Sequence, residues 1–384
     1  MNIRIIRHND NMLEALIRGR NILEITAKDR KMREYDLTLF DPETNTIKEI
    51  APEIQKINSI PVFNCIWNSE DVYFAALDMS DASGNGICIF KYENAQNACK
   101  CILKIDAESI DSSKNSSLKI FVLSENYVIA QSEHKKDNNI ESLMGNIEFV
   151  QTLYNVDTEE SVVISDLNLI NNGINMIQPV SETHMMLKTG FSYLEDSRIN
   201  KDNEKEALIE SVYFSSNSMF LSSILRDNIT AGYKLLGTAY FDKCIISPKV
   251  SGEYVFFTIV DREKMSSETV FYNYVTDETI RCVSQDVLKN DLSNAYIINN
   301  TPYIRNTYSD RTEFFNVRTS ESDCVFFDED FVSVVGDLFI FSETRGKKEY
   351  LRIYRSPKLD LVAEERAEFL CGVSDMEDYY LYVK

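Results

Sequence analysis

Eight times along its 384 residues the chain repeats one hairpin signature: a short apolar run, a tight polar turn, then a second alternating run, usually carrying an aromatic residue. The eight copies are LEALIRGRNILEIT, FNCIWNSEDVYFAAL, KIFVLSENYVIAQSE, MIQPVSETHMMLKT, IISPKVSGEYVFFTIV, YIINNTPYIRNT, VSVVGDLFIFSE and FLCGVSDMEDYYLYV. Their turns centre on Gly19, Ser69, Glu125, Glu182, Gly252, Asn300, Gly336 and Asp375, at spacings of 36 to 70 residues with a mean of about 51. The alternation has period two and the runs are rich in β-branched and aromatic residues, as half-buried antiparallel strands require. A unit of this length does not bury its apolar face alone, so consecutive copies have to stack.

A second hairpin type fills most of the gaps: LTLFDPETNTIKEI, CIFKYENAQNACKCILKI, LYNVDTEESVVI, FYNYVTDETIRCV, FFNVRTSESDCVFF and RIYRSPKLDLV. Each repeat thus reads as two hairpins, four strands in all. These residues resemble the generic β-propeller blade, whose outer hairpin runs aromatic, Asp or Asn, two residues, Thr or Glu, then a β-branched stretch. The likeness is to a blade type and to no particular family: there is no Gly-His to Trp-Asp pairing, no Kelch double glycine, and a single tryptophan, Trp67. It implies an all-β chain, one propeller domain over residues 1–384 with about eight four-stranded blades, seven being the alternative. A β-sandwich or a stack of two all-β domains competes with it, and the low Gly (12) and Pro (7) content leans that way. Seven hairpin pairs look complete, whereas the last signature, 368–383, holds two strands. The run 2–7 has the period of a strand, so it is expected to pair with the C-terminal hairpin and close the ring, removing exposed edges.

Forty basic residues against sixty-one acidic ones leave a formal charge of -21 and a pI near 4.7. Such a balance repels phosphate backbones and anionic lipid, so neither nucleic acid nor membrane is an expected partner. No apolar stretch has the length of a signal peptide or a membrane span, and the expected location is cytoplasmic. The eight cysteines sit mostly in apolar alternating runs and read as reduced, structural residues. The oligomeric state is not set by anything in the sequence.

In a blade, the loop joining strands two and three lies on the same face as the connection to the next blade. These loops fall at 78–86, 134–146, 190–206, 261–268, 309–311 and 344–348, with an insertion at about 190–207. The three longest belong to consecutive blades two, three and four, and long loops over one sector of a rigid scaffold present binding surfaces. Within the insertion, Phe191 and Tyr193 are the candidate aromatic anchors for a protein partner, and 201–210 reads as a solvated excursion or a short amphipathic helical turn.

Chemistry is thinly marked. Of the three histidines, His134 opens a long loop and is the best placed for a site, His184 follows a tight turn on the opposite face, and His8 follows the closing strand. Cys88, Cys99 and Cys101 lie on neighbouring strands but lack the fourth ligand and the spacing of a structural zinc site. Asp78, Asp81 and Asn85 miss the alternate-residue spacing of a calcium loop. No metal or cofactor is expected, and neither a nucleophile elbow nor a phosphate-cradling glycine loop is present. Arg262, Arg311 and Arg345 each open a loop on the same face in three successive late blades, where converging guanidinium groups would make an anion site. Two functions follow: a non-enzymatic scaffold holding a protein partner, basic in character given the charge; or a propeller that binds or hydrolyses a small anion or carbohydrate at the channel mouth, served by Arg262, Arg311, Arg345 and His134.

Overall fold

The computed structural model describes residues 3–7, 12–18, 21–27, 35–41, 44, 46–50, 62–64, 71–78, 86–93, 95–96, 98–106, 118–136, 146–164, 174–181, 183–190, 209–227, 232–240, 243–261, 263–284, 294–327, 330–356, 359–367, 370–374 and 379–383. They form thirty-one strands, numbered β1 to β31 in chain order, and one short helix. Seven sheets are four-stranded meanders in strict sequence order: sheet 1 (β2 to β5, 12–49), sheet 2 (β6 to β9, 62–106), sheet 3 (β10 to β13, 118–163), sheet 4 (β14 to β17, 174–239), sheet 5 (β18 to β21, 243–284), sheet 6 (β22 to β25, 295–327) and sheet 7 (β26 to β29, 330–366). Sheet 8 has three strands in the order β30 (Leu370–Ser374), β31 (Tyr379–Val383), β1 (Ile3–Arg7), and β1 runs parallel to β31. None of the helices among the described residues is long and apolar enough to cross a membrane.

The chain divides into two compact units. One comprises Met1–Arg30, Asp36–Glu49 and Ile246–Lys384, and the other Lys31–Tyr35 and Ile50–Ile245. In the second unit, β10 (Leu118–Ser124) packs between β6 (Val62–Asn64) and β14 (Ile174–Pro179). In the first, β22 (Ala295–Ile298), β26 (Asp330–Val335), β30 and β2 (Met12–Arg18) follow one another in the same way. First strands are thus the inner edge of the stack within each unit, and fourth strands are the outer edge.

Apolar alternation fills the space between sheets. Sheets 2 and 3 close on Tyr73, Ile89, Leu103, Val122 and Val128; sheets 3 and 4 close on Phe121, Ile129, Leu153, Met185, Leu187 and Tyr213. In the other unit, Phe256 and Phe271 of sheet 5 meet Ile297 and Ile304 of sheet 6, and the other face of sheet 6 meets sheet 7 through an aromatic layer. There Phe314 lies 4.8 Å from Phe339, and Phe326 lies 4.1 Å from Phe341. The outer strands bury far less: Ile47, Val163 and Val283 are 66%, 59% and 64% exposed. Formal charges nearly cancel over the strands, so almost all of the -21 lies in the segments between them.

The recurring outer turn has a local cause. Asn155, Asn273 and Asn316 each end the third strand of their sheet, and each side-chain Oδ1 accepts two backbone N–H groups of the turn. For Asn273 these come from Val275 and Thr276, both at 2.9 Å. Asn155 takes them from Asp157 and Thr158, and Asn316 from Arg318 and Thr319. Four residues after each Asn the backbone turns left-handed, at Glu159 (φ 59°), Asp277 (φ 60°) and Ser320 (φ 61°), and a glutamate opens the next segment. That is the physical content of the repeated Asn-x-x-Thr-x-Glu: a side chain stands in for the turn's missing acceptor.

Two sequence expectations are revised here. Cys101 is exposed, because it lies on a fourth strand with one face open to solvent; Cys88 and Cys324 are buried. The chain also contains α1 (Asn217–Ser222), started by Ser216, whose Oγ accepts from Met219 N, in a segment where no helix was expected.

Candidate functional site

Insertions concentrate in sheet 4. Between β15 (His184–Thr189) and β16 (Glu210–Ser216) runs the connection 190–209, and between β16 and β17 (Lys234–Ala239) run α1 and a π-helical turn, Ser223–Asp227. The second insertion is fastened from inside: Phe220 is fully buried against the core shared with sheet 3, Ser223 Oγ donates to Met219 O at 2.8 Å, and Tyr233 OH donates to Ser223 Oγ at 3.2 Å. Burial pushes the Tyr233 phenol up to about 12.

The longer connection is clamped at its base. Lys188 Nζ donates to Glu210 Oε1 at 2.7 Å, with the two side chains 11% and 6% exposed. The other carboxylate oxygen accepts the backbone N–H of Ile245 at 2.6 Å. Both oxygens are therefore engaged, which makes Glu210 a clamp on the two legs of the loop instead of a base facing a substrate. Gly190 stands between the legs with φ +107°; a Cβ there would lie 2.6 Å from Ile209 O and 2.7 Å from Glu210 Cα, so only glycine allows the approach. Beside them, Ser211 Oγ and Thr238 Oγ1 share a hydrogen bond of 3.2 Å. Thr189 Oγ1 is fully buried with no hydrogen-bond partner among the described residues. Glu210 begins β16, where it pairs with Ala239; 201–208, read from the sequence as a solvated excursion or a short helical turn, lies outside the described residues.

Phe191 and Tyr193, within this connection, lie outside the described residues, as does Arg262. His134 lies on β11 (Tyr127–Lys136), opposite Glu148, and the strand continues two residues beyond it before the connection 137–145. Arg311 begins β24 (Arg311–Asn316) in sheet 6. Its Nε donates to Glu313 at 2.6 Å, its Nη1 reaches Asp310, and its guanidinium lies 4.4 Å from the Tyr308 ring. Arg345 ends β27 (Leu338–Arg345) in sheet 7 and forks onto two carboxylates, Glu343 and Glu364, at 2.7 to 2.9 Å, over Tyr350. Hydrogen bonds from Arg345 hold both glutamates below the usual carboxylate range. Each of these two arginines thus stands at the turn between the second and third strands of its sheet, with its charge met by acids of that same sheet.

Elsewhere, His184 stacks on Phe214 at 4.9 Å and its Nδ1 is 2.9 Å from Thr183 Oγ1 in the tight turn of sheet 4. Burial raises the Cys324 thiol to about 11 and also raises Cys282, which suppresses thiolate chemistry. Among the described residues no three of His, Cys, Asp and Glu gather as metal ligands would. Asp81, Asn85 and His8 lie outside the described residues. What the sequence reading missed is the clamp. Its signal was a lysine and a glutamate flanking the insertion at positions where the alternation of β15 and β16 calls for apolar residues.

No family model matches the chain, and no curated protein matches it. Solved structures match it at a distance. The β-propeller domain of the Trilobed protease from Pyrococcus furiosus is 8% identical with a TM-score of 0.47, covering 92% of this chain and 96% of that one. The propeller of Dos1 is 10% identical with a TM-score of 0.48, covering 93% and 85%. An acylaminoacyl peptidase is 11% identical with a TM-score of 0.48, covering 94% of this chain but 54% of its own. The repeated four-stranded meanders, stacked by their first strands, are those of a generic β-propeller repeat protein with no specific family.

Proposed function

We propose that the chain is a non-enzymatic scaffold, a propeller of eight blades whose eighth takes in β1 beside the C-terminal hairpin, and that it holds a protein partner on the connections between second and third strands in sheets 2 to 4. The observation that carries this reading is the clamp at the base of 190–209: a buried ion pair, a backbone N–H and a glycine in a left-handed conformation hold the two legs of one long loop together. A loop with fixed legs is a presented element, and Phe191 and Tyr193 are its anchors. The partner is basic, because the chain carries a formal charge of -21 and the three connections of this face are each net acidic.

Replacing 191–208 by a short Gly-Ser linker tests it. Partner capture from a lysate of the source cells should be lost in the variant, while the urea midpoint moves by less than a strand deletion would cause. Capture that survives the replacement, or that is insensitive to salt, would overturn the reading.

A second reading rests on the matching places of Arg311 and Arg345 at corresponding turns of sheets 6 and 7. With Arg262 they serve a small anion that exchanges for the glutamates. Titration with inorganic phosphate, followed by the thermal midpoint, decides it: no shift at millimolar phosphate removes this reading.

A further inference from the structure

Among the described residues sheet 8 has one strand fewer than the other sheets. In the other seven sheets a fourth strand lies beyond the third, whereas in sheet 8 the order ends at β1, the third strand. The vacancy has a definite side. β30 packs against β26 and β2, the first strands of the neighbouring sheets, so β30 is the inner edge and β1 the outer one. A strand in the middle of a sheet engages its backbone groups on both sides, and an edge strand leaves one row open. Among the described residues nothing pairs with that row of β1.

Composition says what fits. The strands of sheet 8 read IRIIR, LCGVS and YYLYV: two arginines, Arg4 and Arg7, and no acidic residue. Every other sheet has at least one Asp or Glu in its strands. Over its strands sheet 8 is the most positive of the eight, and both of its charges lie on the strand at the open edge. Parallel pairing is also slightly less stable per residue than antiparallel pairing, so β1 gains from a second neighbour.

We propose that the outer edge of sheet 8 is a docking site for an extended acidic segment of a protein partner, which adds itself beside β1 as the fourth strand. Main-chain hydrogen bonds supply the affinity, and the charge of Arg4 and Arg7 selects acidic over basic sequences. The site is independent of the loop face of sheets 2 to 4 and takes a partner of the opposite charge.

The test uses the full chain and two synthetic peptides, one of alternating Glu and Val and one of alternating Lys and Val. Amide hydrogen exchange and fluorescence anisotropy are the readouts. The acidic peptide should bind at least tenfold more tightly than the basic one, slow exchange at least tenfold at alternate amides of 3–7, and lose that affinity in R4E/R7E. Shortening 190–209 should leave this binding intact. If R4E/R7E loses amide protection in β31, the salt dependence of the intact chain replaces it, and an affinity unchanged between low and high salt overturns the proposal. So does a free chain whose 3–7 amides are all protected already, which would mean that its own residues cover the edge. Peptide protection appearing at other fourth strands, or no binding at all, overturns it equally.

Discussion

Sheets 2 to 4 and sheets 5 to 7 are built on the same meander, yet they treat its second connection in opposite ways. In sheets 5, 6 and 7 it is 262–265, 308–310 and 346–347; in sheets 2, 3 and 4 it is 79–85, 137–145 and 190–209. The polar residues follow the same division. On the tight side, charged groups knit exposed turns together, as where Arg318 forks onto Glu278 at 2.6 and 3.2 Å and also donates to Tyr254 OH. On the long side, Lys91 of sheet 2 pairs half-buried with Asp71 and Glu93, and the most deeply buried pair, Lys188 with Glu210, holds loop legs. One repeat therefore carries two uses of charge, and burial separates them: exposed pairs contribute about 0–1 kcal/mol, while removing one member of a buried pair costs about 3–5 kcal/mol.

The largest expected effects probe the two sides at equal strength. Phe314→Ala empties the aromatic layer between sheets 6 and 7, where Phe314 is fully buried, and should cost about 3–5 kcal/mol in urea unfolding. Glu210→Ala strands the Lys188 ammonium and should cost about as much. The double change Lys188→Met with Glu210→Leu should recover most of that loss; a double variant as unstable as the single would show that the clamp acts through Ile245 and not through the ion pair. A smaller effect is expected from Asn273→Ala, which removes the acceptor for two turn N–H groups and the donor to Glu253: about 1–2 kcal/mol by thermal unfolding.

Acid should discriminate the sides further. Glu343 and Glu364 are held low by Arg345, Glu278 by Arg318, and Glu253 by hydrogen bonds from Asn300 and Asn273. A carboxylate with a lowered folded pKa contributes stability that is present above its unfolded value, near 4.3, and is lost as pH falls through the folded value. Exchange of sheet 5 to 7 amides should therefore accelerate below about pH 4.3 ahead of sheet 3 to 4 amides. The smallest effect is expected at Arg345→Gln, whose urea midpoint at neutral pH should stay close to that of the unaltered chain because the network is exposed. A midpoint lowered as far as in Glu210→Ala would erase the contrast between exposed and buried charge.

Much of this was readable beforehand, and the reason is turn chemistry. The hairpins announced themselves because alternation needs only period two and because Asn, Gly and Thr must sit where a turn lacks an acceptor or bends left-handed. The second connections were found wherever two alternating runs bounded them. Side-chain partnership across strands was not readable. Arg311 and Arg345 looked available although Glu313 and Glu343 stand two residues along the same strands, a spacing that period-two alternation makes legible; Glu364 reaches Arg345 from another strand, and that only register decides. The clamp escaped for the same reason: Lys188 and Glu210 are separated by the whole insertion and become neighbours only once β15 and β16 pair. α1 was missed because six residues give too little periodicity to detect.

The pairing of Ile3 with Tyr379 also sets a clock. A ribosome adds about 5–20 residues per second, so β1 waits roughly 20–75 s for β31 to be made. Sheets 1 to 7 can each close from local hairpins as they emerge, but β1 is made before all of them and pairs with a strand made after all of them. For that interval β1 lacks the strand it pairs with, so its order in a growing chain depends on a contact that only the last part of synthesis supplies.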